Sequence, residues 1–529
     1  MSARRHIAID LGASSGRVME VVIGDGELSV RELHRFANAP VTARHAGGVT
    51  LCWPMERIWE SILEGLRIAA ADGEVDSIGV DSWAVDYALL DEDGELVRPI
   101  AAYRDPRTKQ AFWRLRAELG NETIYGATGI AFQPFNTLYQ LAADAEDPIR
   151  PLERAQRMLM LPDYIAYRLC GSIACERTNA SSTQMLDAAT REWSRGLVRA
   201  SGAPERILPE LVDAGSEQPL GMISADVADE TGLSTATPVL ASATHDTASA
   251  VVAAPIDPAR DLYVSSGTWS LVGLELPQAV TSDAAREANM TNELGAFGSV
   301  RFLKNVAGLW LVQQCEAAFA AEGRARSWDE LAALARAAEP LRSVVDPNDP
   351  AFFEPGDMPA RIRASCAARG EPVPGTDAEV VRCALDSIAL ATAHAARQAA
   401  ALARREIRQI SVVGGGSAND LLNQLIADAS GLAVEAGPAE CTAIGNALMQ
   451  HAALERVERA SELRALVRAS ASIRRFEPDF AQSARMRDAA ERLARSSLVS
   501  QRFHHVERHP FAQSVLRPPH LERRRRGAA

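Results

Sequence analysis

Two related α/β domains folded around a shared cleft are the architecture this sequence predicts. Three observations predict it. First, an apolar strand, a small polar loop and another strand occur at 7–10, 11–16 and 17–23, and the same unit returns at 262–264, 265–268 and 269–274. Second, a strand over 410–413 runs into Gly414, Gly415 and Gly416 and then into a helix from about Asp420. Third, a chain of 529 residues has room for two α/β domains of ~250 residues each.

The elements follow in order. Ile7, Ala8 and Ile9 open the first strand, and Gly12, Ser14, Ser15 and Gly16 supply turn chemistry. The β-rich run 17–23 follows, then a hairpin turn at Asp25-Gly26 into a strand over 28–33. Ile58, Ile62, Leu66 and Ala70 recur every fourth residue, the spacing of one helix face. Residues 77–81 and 85–90 read as strands, the second closed by the turn 91–94. Pro238, Val239, Leu240 and Ala241 lead into the polar run Thr244-His245-Asp246-Thr247. A long helix over about 378–405 carries Val381, Leu385, Ile388 and Thr392 on one stripe.

Composition narrows the function class. Hydrophobic residues are 47% and charged residues 24%, as in ordinary globular proteins, which excludes low-complexity disorder for most of the chain. No apolar run reaches 18 residues, so no spanning helix and no membrane partner is expected, and the short apolar start predicts a cytoplasmic protein. The net charge of −13 argues against nucleic acid as the main partner. Seven scattered cysteines make neither a disulfide scaffold nor a zinc motif. From about residue 480 the balance inverts, with eleven arginines against four acids. Residues 481–529 are therefore expected to be a disordered, solvated tail, either throughout or after an initial helix over 481–498. The domains are expected at 1–243 and 244–480.

Four groups of residues carry chemistry. Asp10 ends a strand beside the small residues Ala13, Ser14, Ser15 and Gly16 and the base Arg17. Successive backbone N–H groups there can cradle phosphate, and a neighbouring carboxylate suits a Mg²⁺ ion; an ordinary Ser-rich hairpin is the other reading. The Ser265-Ser266-Gly267-Thr268 loop and the Gly414-Gly415-Gly416 loop are two further candidate nests. Asp246, between His245 and Thr247, can accept a proton from an attacking hydroxyl, or can serve only at a helix start. Trp83, Asp86, Tyr103, Arg104, Asp105 and Arg107 form a polar, aromatic group suited to a sugar or to a salt-bridged surface.

Ten segments together resemble the FGGY family of carbohydrate kinases. They are Asp10-Leu11-Gly12-Ala13-Ser14-Ser15-Gly16-Arg17, Asp81-Ser82-Trp83-Ala84-Val85-Asp86-Tyr87, Tyr103-Arg104-Asp105-Pro106-Arg107-Thr108, Pro134-Phe135-Asn136-Thr137-Leu138-Tyr139-Gln140, and Leu161-Pro162-Asp163-Tyr164. Further on stand Ser242-Ala243-Thr244-His245-Asp246-Thr247-Ala248, Ser265-Ser266-Gly267-Thr268-Trp269, Leu303-Lys304-Asn305, Gly308-Leu309-Trp310-Leu311 and Val413-Gly414-Gly415-Gly416. The resemblance spans about 5–480. It implies two ribonuclease-H-like domains of the actin, Hsp70 and hexokinase type around a catalytic cleft.

The resemblance further implies ATP and Mg²⁺ as cofactors, a small-molecule sugar as partner, and a monomer. The first segment and the Leu303-Lys304-Asn305 segment are most similar to members that phosphorylate L-rhamnulose at O1. By that likeness Ala13, Ser14, Ser15, Gly16, Arg17, Thr268, Gln313 and Gly415 bind the nucleotide. Ala84, His245, Asp246, Thr247 and Asn305 bind the ketose, Asp246 is the catalytic proton acceptor, and Asp10 faces the metal. Cys366 and Cys383 match a pair that is disulfide-bonded in some relatives, whereas a reducing cytosol favours two free thiols. Ala84 departs from the glycine usual there, which keeps L-fuculose or L-xylulose open as the sugar. A non-catalytic nucleotide clamp is the rival outside enzymes.

Overall fold

The structure, a computed structural model, describes residues 3–45 and 48–504. The first sheet has strands β1 (Arg4–Leu11), β2 (Ser15–Gly24), β3 (Glu27–Ala37), β4 (Ser77–Ser82), β5 (Gly221–Met222) and β6 (Pro238–Val239) in the order β5-β6-β4-β1-β2-β3. The second has β7 (Asp261–Ser266), β8 (Trp269–Leu276), β9 (Thr291–Leu294), β10 (Val300–Ala307), β11 (Gln409–Val413), β12 (Ala433–Ala436) and β13 (Arg474–Phe476) in the order β9-β10-β8-β7-β11-β12-β13.

The two sheets repeat one plan. β1, β2 and β3 form an antiparallel meander, and β4 joins β1 in parallel. β7, β8 and β10 form the same meander, and β11 joins β7 in parallel. The duplicated β–loop–β units thus occupy equivalent places in the two sheets.

Helices cover both faces of each sheet, which explains the unbroken apolar runs in the parallel strands. Along β1, Ile7, Ile9 and Leu11 face α1 (Met55–Ala71), whose Ile58, Ile62 and Leu66 are buried as the four-residue spacing requires. The intervening Ala8 turns the other way and meets Ala443 on α7 (Cys441–Glu455). α2 (Asp246–Ala253) packs beside α7. Val21 and Ile23 of the first sheet and Tyr263, Leu303 and Val413 of the second share one core with these two helices. α2 and α7 are therefore the layer between the sheets, and the start of α2 emerges where the halves meet.

The outer face of the second sheet carries α3 (Trp310–Ala321), α4 (Met358–Arg369), α5 (Asp377–Ala403) and α6 (Asp420–Ser430). Cys366 on α4 and Cys383 on α5 are buried neighbours, and both are free thiols, hydrogen-bonded to each other. No helix among the described residues is long and apolar enough to cross a membrane.

The tail departs from expectation in its packing. A helix, α8 (Phe480–His504), stands where an initial helix over 481–498 was one of the two readings, but it packs on α6 instead of lying in solvent. Met486 and Ala489 are buried in the second core, with Ala490 and Leu493 against its edge. Arg492 donates to the Leu341 carbonyl at 2.9 Å and to Glu371 at 3.2 Å, and Arg485 to the Pro340 carbonyl at 3.1 Å. Five arginines along α8 hid from sequence reading a helix whose apolar side is real. The expected disorder over 481–529 is thus corrected for its first part, and 505–529 lie outside the described residues.

Candidate active site

The β1–β2 loop is held from behind. The Gly12 amide donates to the Ser15 carbonyl at 2.9 Å, and Asn38 closes the loop on the Ser14 and Gly12 carbonyls at 3.0 and 2.9 Å. Its carbonyls are thereby engaged, and Ser14 stands exposed at the tip. Gly16 has a packing requirement of its own. A Cβ there would lie 2.2 Å from the Phe36 ring, so glycine is required by packing of β2 on β3. Arg17 pairs with Asp10 on one side and with Glu440 on the other.

Three carboxylates meet at the cleft. Asp10 and Asp81 are register partners at the ends of the parallel strands β1 and β4. Beyond β4, Ser82 bridges to His245, and its amide donates to the Thr244 carbonyl at 2.9 Å. That pairing brings the start of α2, and with it Asp246, beside the strand ends. Asp81 is fully buried, accepts from Asn446 at 2.6 Å on Oδ2, and has no hydrogen-bond partner on Oδ1. Burial and the Asp10 charge hold its pKa well above the ordinary carboxylate range. Burial, then Asp10, push Asp246 up to about 7, against hydrogen bonds from Thr247 that favour its ionised form. About a third of the Asp246 side chain, 34%, is open to solvent, so a substrate can reach it.

His245 and Thr247 flank it. Thr247 donates to Asp246 Oδ1 from its amide at 2.5 Å and from its hydroxyl at 3.1 Å. His245 is buried, with Nε2 3.4 Å from the same Oδ1 and Nδ1 2.9 Å from the guanidinium of Arg301. Arg301 lies on β10, opposite Glu293 on β9. Asn305 is four residues further along β10, so it shares the face of Arg301, and its Oδ1 is buried without a partner. Ala84 is half-buried in the loop just beyond β4, before Val85, whose φ is +73°.

The nucleotide candidates gather at the equivalent ends of the second sheet. The β7–β8 hairpin is tied to the start of α3 by bonds from Leu309 and Trp310 to the Gly267 and Thr268 carbonyls, at 2.9 and 3.2 Å. Thr268 Oγ1 donates to Gln313 Oε1 at 3.3 Å. Ser265 pairs with Val413, which sets the three-glycine loop against this hairpin. Gly414 has φ +85°, and a Cβ on Gly416 would lie 2.0 Å from Ser266 Oγ, so both must be glycine. A Cβ on Gly415 would meet nothing within 4 Å: its open side faces away from the protein.

The polar, aromatic group resolves into an internal support. Asp86 accepts from Trp53 at 2.6 Å, Trp83 at 2.9 Å, the Tyr103 amide at 3.1 Å and Gln140 at 3.1 Å, and is fully buried. Asp105 accepts from the Leu51 and Arg107 amides at 2.7 and 2.9 Å. These carboxylates are consumed by the fold. Sequence reasoning assigned no role to Arg301, Glu293 or Asn446. The available signal was a charge inside an apolar strand, Val300-Arg301-Phe302-Leu303, which demands a buried partner.

Comparison with known proteins agrees with this geometry. Residues 6–253 match the N-terminal domain of the FGGY family of carbohydrate kinases, and 262–454 match its C-terminal domain. The chain is 41% identical to a rhamnulokinase of Klebsiella pneumoniae over 482 residues, covering 90% of this chain and 96% of that one. It is 42% identical to a rhamnulokinase of Pectobacterium carotovorum over 485 residues, covering 90% and 94%. Among solved structures, a gluconate kinase from Lactobacillus acidophilus superposes with a TM-score of 0.76 at 15% identity, covering 93% of this chain and 97% of that one; this likeness concerns the fold alone.

Proposed function

Since the chain belongs to the FGGY family of carbohydrate kinases, we propose that it transfers the γ-phosphoryl group of ATP to O1 of L-rhamnulose, giving L-rhamnulose 1-phosphate. The observation that carries the chemistry is Asp246. It is a reachable carboxylate with a pKa raised to about 7, at the seam between the two halves. A general base works best when its pKa lies near the operating pH.

In this reading the ketose lies among Ala84, His245, Thr247 and Asn305, with its 1-hydroxyl on Asp246. The backbone of Ala13, Ser14, Ser15 and Gly16 and the side chains of Arg17 and Thr268 hold the phosphates. Gln313 and the open side of Gly415 hold the rest of the nucleotide. The O1–P bond forms as the bond from the γ-phosphorus to the bridging oxygen breaks in line, ADP leaves, and the hydroxyl proton goes to Asp246. Closure of the halves excludes water, which would otherwise compete as acceptor.

The residues also fit Mg²⁺. Asp10 and Asp81 stand side by side, and the unpartnered Asp81 Oδ1 marks a place lacking positive charge. Among the described residues no three or more His, Cys, Asp or Glu form a metal cage. That donor set suits an ion that keeps its waters and takes other ligands from phosphates, with Asp10 as the residue that would hold it. When bound, the ion would neutralise phosphate charge.

A substrate panel tests the proposal: kcat/KM for L-rhamnulose, L-fuculose, L-xylulose, D-xylulose and glycerol. L-Rhamnulose leads, because buried groups that pair with sugar hydroxyls are left unpaired by a wrong epimer. A different leading sugar would overturn the substrate. ADP release indifferent to every sugar would overturn the enzyme and favour a nucleotide clamp.

A further inference from the structure

Arg301 is fully buried. Nε donates to the Leu294 carbonyl at 3.1 Å and Nη2 stands 2.9 Å from His245 Nδ1, while Nη1 is ion-paired with Glu293 Oε2 at 3.1 Å without a hydrogen bond, and the same Oε2 lies farther from His245 Nδ1, at 3.4 Å. A guanidinium has only donors, so His245 Nδ1 must present its lone pair. The single ring proton is then on Nε2, which points at Asp246 Oδ1. A second proton on the ring is disfavoured: burial, then Arg301, hold the His245 pKa well below its ordinary value. The opposite neutral tautomer would turn a lone pair on the Asp246 carboxylate and waste the Arg301 donor.

Two donors therefore hold Oδ1, the Thr247 amide and the Thr247 hydroxyl, and His245 Nε2 lies beside it at 3.4 Å without a formed hydrogen bond. Among the described residues none donates to Oδ2. Asp10 on β1 and Asp81 on β4 also face this carboxylate, but carboxylates bring charge and no hydrogen bond.

From this geometry we infer that Arg301 and Glu293 are positioning residues that aim the base through His245. Arg301 fixes the Nε2–H tautomer, Glu293 balances the buried guanidinium, Thr247 holds Oδ1, and His245 presents its Nε2–H beside that oxygen. Oδ2 is left to take the proton of the ketose hydroxyl. The proton stops on Oδ2 and does not travel to His245. The inference rests on Asp246 being the base.

Nitrogen-15 NMR of the histidine-labelled full chain reads the tautomer directly, with the His245 signals assigned by their loss in His245→Gln. The expected result is an unprotonated Nδ1 and a protonated Nε2 that stay so across neutral pH. Kinetics read the consequence. His245→Gln and His245→Leu both weaken the ketose by losing the imidazole contact, but His245→Leu loses about tenfold to a hundredfold more kcat than His245→Gln, whose amide can still donate to Oδ1. The paired change Arg301→Met with Glu293→Gln, which leaves no buried charge unpaired, lowers kcat with KM for the ketose little changed. If that variant fails to fold, the His245→Gln and His245→Leu comparison decides. A proton on Nδ1, a His245→Leu enzyme with normal kcat, or a loss confined to KM would overturn the inference. Failure of the base assignment is separable: it shows as normal turnover in Asp246→Asn, whatever the tautomer.

Discussion

Removal of α8 is a perturbation whose size follows from packing. A chain ending at Asp479 loses Met486, which is 2% exposed, and Ala489, which is 0% exposed, from the second core. It also loses the Arg492 contacts to Glu371 and the Leu341 carbonyl. Burial of one methionine and one alanine side chain stabilises by about 3 kcal/mol gross. The helix must be ordered to deliver this, so a net of roughly 1–3 kcal/mol remains. For a domain of this size each kcal/mol moves the melting temperature by about 2–4 °C. The expected fall is therefore about 2–12 °C for the domain holding the second sheet, with the apolar side of α6 newly exposed. Differential scanning calorimetry of this shortened chain and the full-length protein checks this. A chain ending at Asp479 that melts with the full-length protein would refute the claim that α8 is part of the core.

Two further outcomes follow from the site. Gly415→Val should fold normally, because its Cβ meets nothing, yet weaken ATP binding about tenfold or more while the ketose affinity holds; calorimetric titration of each ligand reads both. The pH dependence has a defined sign: Asp246 must be ionised to act, so kcat/KM for the ketose should fall about tenfold per pH unit below about 7. Stability runs the other way at this residue. Its folded pKa, about 7, lies above the usual 3.8, so the folded state holds the proton more tightly, and this contribution is full below about 4 and lost as pH rises through 7. Urea midpoints across that range, wild type against Asp246→Asn, isolate it.

The duplicated sheet plan was legible because each β–loop–β unit is local: a short apolar run, a few small residues and a second run suffice to mark it. Asp246 was legible as a polar helix start for the same reason: it is the first residue of α2, after the cap at His245, and its side chain is partly open to solvent. Gly16 shows the limit of local reading. Its smallness was visible, but the reason, the ring of Phe36 on the neighbouring strand, depends on strand register. Glu293 and Arg301 are eight residues apart and meet His245 only when β9, β10 and α2 assemble, so no spacing rule announces them. The group around Trp83 and Asp86 shows the same limit, since polar and aromatic residues fit both a sugar site and an internal support, and only burial separates the two. In α8 the charge pattern was read correctly and its packing was not, because four apolar residues, Met486, Ala489, Ala490 and Leu493, dock on the core beneath a surface of arginines.

The central claim is that Asp246 removes the proton from the sugar hydroxyl. Asp246→Asn keeps the size of the side chain and cannot accept that proton. The direct measurement is rapid-quench single-turnover phosphorylation of L-rhamnulose by the wild-type and Asp246→Asn proteins, with ATP and ketose affinities measured alongside. The expected result is a rate lower by about 10² to 10⁴ with both affinities near those of the wild type. A rate within a few-fold of wild type at unchanged affinity would contradict it.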